Sequence, residues 1–244
     1  MTYPKFHKKH LEEALFHPGE NRKKLKGKLP KKCIIIYDIK LIDYLKRKYK
    51  IKKDNKLSIL AYDVYLYKGL AIVKMKGIGS PHVISGFEVL IYSGGKIFIN
   101  IGYAGGLYSE GFFLCTKAIR DEGTSPHYNA HTEYAYPDKN LTDKFERCLR
   151  KNDINFERGV TWTIDAPFRE TKKEIQYYRK KGVKTAEMET SALFIIAKYR
   201  NVKIASCFIV SDVLGDEWKP ISDDIATKKD LRDLFEIAVK CLKG

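Results

Sequence analysis

Three consecutive residues, Glu187, Met188 and Glu189, open a segment from Ser191 to Ala197 that is almost wholly apolar. Such a run is too hydrophobic for a surface helix and predicts a buried one. Two carboxylates at the mouth of a buried helix must find donors there, because an unpaired buried charge costs several kcal/mol or changes its protonation state. A ligand rich in hydroxyls would supply those donors. Asp212 is a further acidic candidate, placed just after the apolar stretch Val202 to Val210.

These residues need elements to hold them. Cys33 to Tyr37 predicts a short buried strand, and Lys40 to Tyr49 an amphipathic helix with Leu41, Ile42 and Leu45 inward. Leu57 to Lys68 and Leu70 to Lys76 read as two strands joined through Gly69, and GIGSPH (Gly77 to His82) as a glycine turn opening a helix to about Tyr92. Lys96 to Ile101 predicts a strand ending in a second glycine turn, GYAGGL, from Gly102 to Leu107. Strands at Phe112 to Ile119 and Gly159 to Ile164 and a helix near Thr142 to Lys151 follow. A charged helix spans about Arg169 to Lys181, Val202 to Val210 is a strand ending at Ser211-Asp212, and a last helix covers Lys228 to Leu242. Alternating strands and helices predict a mostly parallel twisted sheet covered on both faces. Ligands bind such sheets at the carboxyl ends of the strands, where the glycine turns, TIDAPFRE, Glu187 and Asp212 all fall.

The 244 residues, 44% of them hydrophobic, fit a single large α/β domain over residues 31–244 behind an N-terminal arm over 1–30. The five cysteines are scattered, with no CxxC or Cys/His spacing, so neither a disulfide framework nor a metal site is expected. A cytoplasmic location is the expectation, since no apolar run reaches the roughly 18 residues of a membrane span. The formal charge of +16 comes from short lysine runs spread along the chain. No nucleic-acid motif lies between them, so no specific nucleic-acid partner is expected.

The segments GIGSPH, FINIGYAGGL, TIDAPFRET, AEMETSALF and FIVSDVL occur in the order and spacing of the nucleoside phosphorylases. From about Lys31 to its C-terminus the chain resembles this family, whose members include uridine phosphorylase, hexameric purine nucleoside phosphorylase and methylthioadenosine nucleosidase. The resemblance implies an α/β fold, a three-layer α/β/α sandwich around a central mixed, mostly parallel, barrel-like sheet. It implies cleavage of an N-glycosidic bond without a cofactor, phosphate being a co-substrate, in a homo-oligomer such as a dimer or a trimer of dimers. Such cleavage passes through a cationic ribose, so the site must hold the sugar and protonate the departing base.

Carried onto this sequence, the resemblance makes Glu189 the acceptor from both ribose hydroxyls, which its two oxygens suit. Met188 would pack on the sugar, and Glu187 would be a second hydroxyl acceptor or a support for the loop. Asp212 would donate a proton to N7 of a purine, and Phe168 would stack on the base. Plainer readings are a helix N-terminus that favours acids, a turn aspartate and a core phenylalanine. Relatives set an N-terminal histidine against the ribose of a neighbouring subunit; His7 and His10 fit that register poorly and read better as surface residues.

The departure from the family lies at the phosphate site. Phosphorolytic relatives carry PGDPxR after the first strand and an arginine in IRxGTxG, where this chain has Tyr37-Asp38-Ile39-Lys40-Leu41 and Asn100-Ile101-Gly102-Tyr103. Both arginines are missing. The expectation is that phosphorolysis persists, with Asn100 and Tyr103 at the phosphate, backbone amides at Gly79, Gly102 and Gly105 forming an anion nest and Lys40, Arg120 or a neighbouring subunit supplying charge; a nucleosidase using water, or a nucleoside-binding module without catalysis, is the alternative.

Overall fold

The structure, a computed structural model, describes residues 4, 6, 8–20, 28–130, 132–215, 217–221 and 225–244, with Ile225 and Ala226 described by backbone alone. His7 lies outside the described residues.

The strand β1 (Lys32–Ile36) is apolar at nearly every position because both of its faces are covered. Cys33 and Ile35 enter one core with the helices α2 (Ser80–Tyr92) and α5 (Thr190–Tyr199). Ile34 and Ile36 enter the other, with α1 (Ile39–Tyr49), α3 (Lys139–Lys151) and α6 (Ile225–Lys243). Helices on both sides of a sheet make the three layers. The remaining strands are β2 (Lys53–Asp54), β3 (Tyr62–Tyr67), β4 (Leu70–Met75), β5 (Ile97–Gly106), β6 (Phe112–Asp121), β7 (Tyr134–Ala135), β8 (Phe156–Ile164), β9 (Val183–Glu187), β10 (Lys203–Leu214) and β11 (Trp218–Pro220). Helix α4 (Lys172–Lys180) packs against β9.

The pairings β4–β1–β5–β10 and β6–β8–β9 are parallel. Antiparallel pairs β10–β6 and β5–β9 join the two groups, so β5, β10, β6, β8 and β9 close into a five-stranded mixed barrel. Closure brings the C-terminal ends of β5, β9 and β10 to one place.

Two strands run further than their sequence indicates. GYAGG is not a turn: β5 continues through it to Gly106. Its glycines permit close approach, since a Cβ at Gly106 would lie 2.4 Å from Ser109 O and one at Gly102 would lie 3.1 Å from the Tyr37 ring. Similarly β10 passes Asp212 and ends at Leu214, with Ser211 as an extra residue between the pairs Val210/Ala104 and Asp212/Gly105. Such a bulge re-aims the next side chain. Strand β9 reads in the sequence as a mere lead-in, its VKTAE having neither an apolar run nor clean alternation.

Helix α5 is buried as expected, each residue from Thr190 to Ala197 lying inside. Burial of side chains such as Leu193 and Ile196 contributes about 1.5–3 kcal/mol each. That packing fixes the start of α5, and with it Glu189, against α2.

Candidate active site

A cavity of about 800 Å³ opens where β5, β9 and β10 end. Glu187, Met188, Glu189, Asp212 and Phe168 all line it, together with Asn100, Gly102 and Tyr103 of β5. The structure thus brings together most of the residues singled out from the sequence.

The two glutamates face different surroundings. Glu187 ends β9 and is saturated: Oε2 accepts from Glu189 N (2.9 Å), Thr190 N (2.8 Å) and Thr190 Oγ1 (2.7 Å), and Oε1 accepts from Thr163 Oγ1 (2.5 Å). Those bonds tie the β9–α5 junction together. Burial pushes its carboxyl upward, and the donors oppose the shift. Glu189, at the first turn of α5, accepts from Gly79 N. Burial first, and the charge of Glu187 second, raise it to about 8. A carboxylate with two oxygens retains acceptor capacity for ligand hydroxyls beyond that bond. Met188, whose carbonyl accepts from Ser80 Oγ (2.7 Å), lines the cavity with them.

Asp212 is half-buried beyond the β10 bulge, with Oδ1 accepting from Ser211 Oγ (2.6 Å) and Oδ2 from Trp218 Nε1 (2.9 Å). Each carboxyl oxygen has more than one lone-pair site, so these bonds orient the group and leave acceptor capacity for a ligand. Phe168 sits in the short turn Pro167–Arg169 and is 100% exposed at the cavity rim, so it is not a core residue. Trp218, 66% exposed, lines the same cavity.

The residues nominated for phosphate are placed differently. Arg120 is buried and does not line the cavity: it donates to Ser125 Oγ (2.8 Å), Ala130 O (2.8 Å), Thr132 Oγ1 (2.8 Å) and Asn129 O (3.2 Å). It is the hub of the loop after β6, because a buried guanidinium must spend its donors locally. Lys40 is exposed in the first turn of α1, away from the cavity lining. Gly102 and Gly105 are strand residues without the left-handed turn that a nest requires. Gly79 has a positive φ of 88°, but its ψ of 146° is not that turn either, and its N–H is committed to Glu189.

In place of the missing arginines stands a neutral network. The Tyr37 hydroxyl donates to Asn100 Oδ1 (3.0 Å), and Asn100 Nδ2 donates to Ser206 Oγ (3.3 Å). Burial, helped by the charges of Glu189 and Glu187, holds the Tyr37 phenol well above its ordinary value, so it stays a neutral donor. Asp38, beside it, caps α1 by accepting from Leu41 N (2.6 Å). Burial likewise raises Tyr103 to about 12.

Sequence reasoning missed Tyr37, Glu170, Lys172 and Trp218 as cavity residues. Position gave a usable signal for Tyr37, at the end of the first strand, and for Glu170, inside TIDAPFRE. Trp218 gave none, because the pairing of β11 with β10 brings it in. His10 lies half-buried in the turn Lys9–Leu11, which is tied to the loop after β6 by Lys9 Nζ and His127 Nδ1 (2.8 Å).

Among the described residues no helix is long and apolar enough to cross a membrane, and no cluster of metal-ligating side chains occurs. Residues 40–243 match the Phosphorylase superfamily, and the chain belongs to that family. It is 23% identical over 169 residues to a guanosine phosphorylase of Halorubrum lacusprofundi, covering 67% of this chain and 70% of that one. It is 26% identical over 188 residues to the uridine phosphorylase of Treponema pallidum, covering 70% and 71%. In fold it is similar to the AMP nucleosidase of Bacteroides thetaiotaomicron, with a TM-score of 0.73 and 17% identity over 88% of each chain. The family is one of enzymes acting on nucleosides.

Proposed function

We propose that this protein cleaves the N-glycosidic bond of a purine ribonucleoside, with water as the acceptor. The observation that carries the reading is the convergence of Glu189, Met188 and Asp212 on one cavity, each with capacity left for a ligand. Glu189 takes the 2′- and 3′-hydroxyls, and its negative charge favours the cationic ribose as the bond to the base lengthens. Met188 packs on the sugar. Asp212 gives its proton to N7, so that the base leaves neutral. Water adds to the anomeric carbon, and the proton it releases restores the acid over the cycle.

The acceptor follows from charge. Phosphate carries nearly two negative charges and needs a cation beside the anomeric carbon. At Tyr37, Asn100 and Ser206 the described residues offer neutral hydrogen bonds, and the lysine on the lining, Lys172, follows the Phe168 turn instead. A neutral donor and acceptor pair suits a water molecule. Phosphorolysis to ribose 1-phosphate, in a homo-oligomer whose second subunit brings the cation, is the alternative that the names of the guanosine and uridine relatives favour.

Base release from matched ribonucleosides and 2′-deoxyribonucleosides tests the site. The ribonucleosides are expected to be cleaved faster by roughly tenfold or more, since deleting the 2′-hydroxyl removes one of the donors assigned to the buried Glu189. Equal rates on both sugars would remove Glu189 from the mechanism.

A further inference from the structure

Strands β1, β5 and β10 lie side by side and parallel, and their starts form an edge of the sheet opposite the cavity, about 30 Å from it along β5 and β10. That edge is basic. Lys31 and Lys96 stand immediately before β1 and β5, Lys203 opens β10, and all three are exposed. The backbone sets them in line, since Lys96 N donates to Lys31 O (2.8 Å) and Lys203 N to Lys96 O (3.0 Å). Lys28, exposed as well, runs past Gly94 toward the same edge.

Other cations at this end of the molecule have partners. Lys32 Nζ donates to Leu242 O at the end of α6, and the Arg200 guanidinium holds both oxygens of Glu88. Among the described residues Lys28, Lys31, Lys96 and Lys203 form no ion pair. Helix dipoles draw cations to helix C-termini, but Lys31, Lys96 and Lys203 stand at strand starts. Like charges on adjacent strands destabilise a sheet, and an anion lying along the row would reverse that. Two exposed tyrosines border it: Tyr92 closes α2 on the way to Lys96, and Tyr199 closes α5 on the way to Lys203. In the sequence Arg22, Lys23, Lys24 and Lys26 run into Lys28 with no acid among them.

We propose that this edge binds single-stranded nucleic acid without reading its sequence, the lysines contacting phosphates and the two tyrosines stacking on bases. A line of cations suits a line of phosphates, and stacking on an aromatic ring tolerates any base. The rings distinguish the edge from a surface that only gathers anions. Nothing in this binding depends on the cavity or on the reaction proposed for it.

Fluorescence anisotropy of a labelled oligodeoxythymidylate, which offers the cavity no ribonucleoside, provides the test. The native protein is expected to bind it at low salt, with an affinity that falls linearly on a log–log plot as salt rises. Lys31→Gln, Lys96→Gln and Lys203→Gln combined should weaken binding roughly tenfold or more and lower the salt slope by about 2, at about 0.7 for each phosphate contact on a single strand. That variant should keep the native Tm or exceed it, because like charges leave neighbouring strands, so lost binding is not lost fold. Tyr92→Ala with Tyr199→Ala should also weaken binding by roughly tenfold, with the salt slope unchanged. Lys173→Gln, Lys180→Gln and Lys229→Gln, exposed positions on α4 and near the start of α6, should leave the slope as it is. Absence of binding, an equal loss in this control, or native affinity in the tyrosine variant would each overturn the proposal. Binding to vesicles rich in anionic phospholipid, with none to the oligonucleotide, would assign the edge to a membrane surface and overturn it too.

Discussion

On the cavity lining Glu187 and Glu189 form an acidic end that brings two carboxyls into the interior, and Tyr37 and Asn100, near enough to feel those charges, form a neutral one whose hydrogen bonds run on to Ser206 behind the lining. The first end is costly to build. Four hydrogen bonds hold Glu187 and one holds Glu189, which is raised to about 8. Strain of that kind is retained where function uses it. The second end is cheap, since each neutral group meets a partner of its own kind. A positive sugar is stabilised by the first, and a neutral acceptor is tolerated by the second. The cavity therefore gathers acids, held toward their neutral form by burial, inside a chain whose formal net charge is +16, so the surface and the site select different things.

The sharpest way to break the comparison is at the base. Asp212→Asn is expected to lower cleavage of a purine ribonucleoside by roughly 10²–10⁴-fold, while a riboside with an activated leaving group keeps its rate. Equal losses on both substrates would make Asp212 a positioning residue.

Glu189→Ala is expected to cost roughly 10²-fold or more in turnover with the fold intact, because it removes the partner of the ribose hydroxyls. Its pH dependence gives a second handle. A carboxyl raised from 4.5 to about 8 contributes stability that is present below about 4.5 and lost as pH rises through about 8. Thermal denaturation of Glu189→Gln should therefore show a Tm gain over the native protein that grows between about pH 4.5 and 8. The native kcat/KM should rise over the upper part of that window as Glu189 ionises. A Tm difference independent of pH would mean that Glu189 is ionised throughout.

At the neutral end a smaller effect is expected. Tyr37→Phe removes one donor to Asn100 and should lower kcat by roughly tenfold with KM nearly unchanged, as loss of a group that positions the acceptor does. A change in KM alone would place Tyr37 in substrate binding instead. Smallest of all, Lys40→Ala should leave the response to phosphate as it is. Arg120→Ala should lower Tm, its loss emptying the loop after β6 of four hydrogen bonds, without altering that response.

The parts of the site that a local pattern dictates were readable in the sequence. An apolar run as dense as Ser191 to Ala197 has only an interior to occupy, and the acids before it must then lie at a buried helix start. The apolar stretch before Asp212 likewise placed that residue near a strand end. Glycines were ambiguous, because GYAGG supports a turn or a close strand crossing, and Ser109, Val210 and Tyr37, distant in sequence or unremarkable in type, decide between them. Barrel closure and the arrival of Trp218 depend on pairing register between distant strands. Arg120 shows the same limit: its charge was visible, but its commitment to Asn129, Ala130 and Thr132 was not.

The acceptor decides the account most directly. Purine ribonucleoside cleavage followed over a phosphate titration, with the sugar product identified by phosphorus resonance and by chromatography, measures it. The account predicts a rate independent of phosphate and free ribose as the sugar product. A rate that rises and saturates with phosphate, accompanied by ribose 1-phosphate, would contradict it and return the neutral end of the cavity to phosphate held by a second subunit.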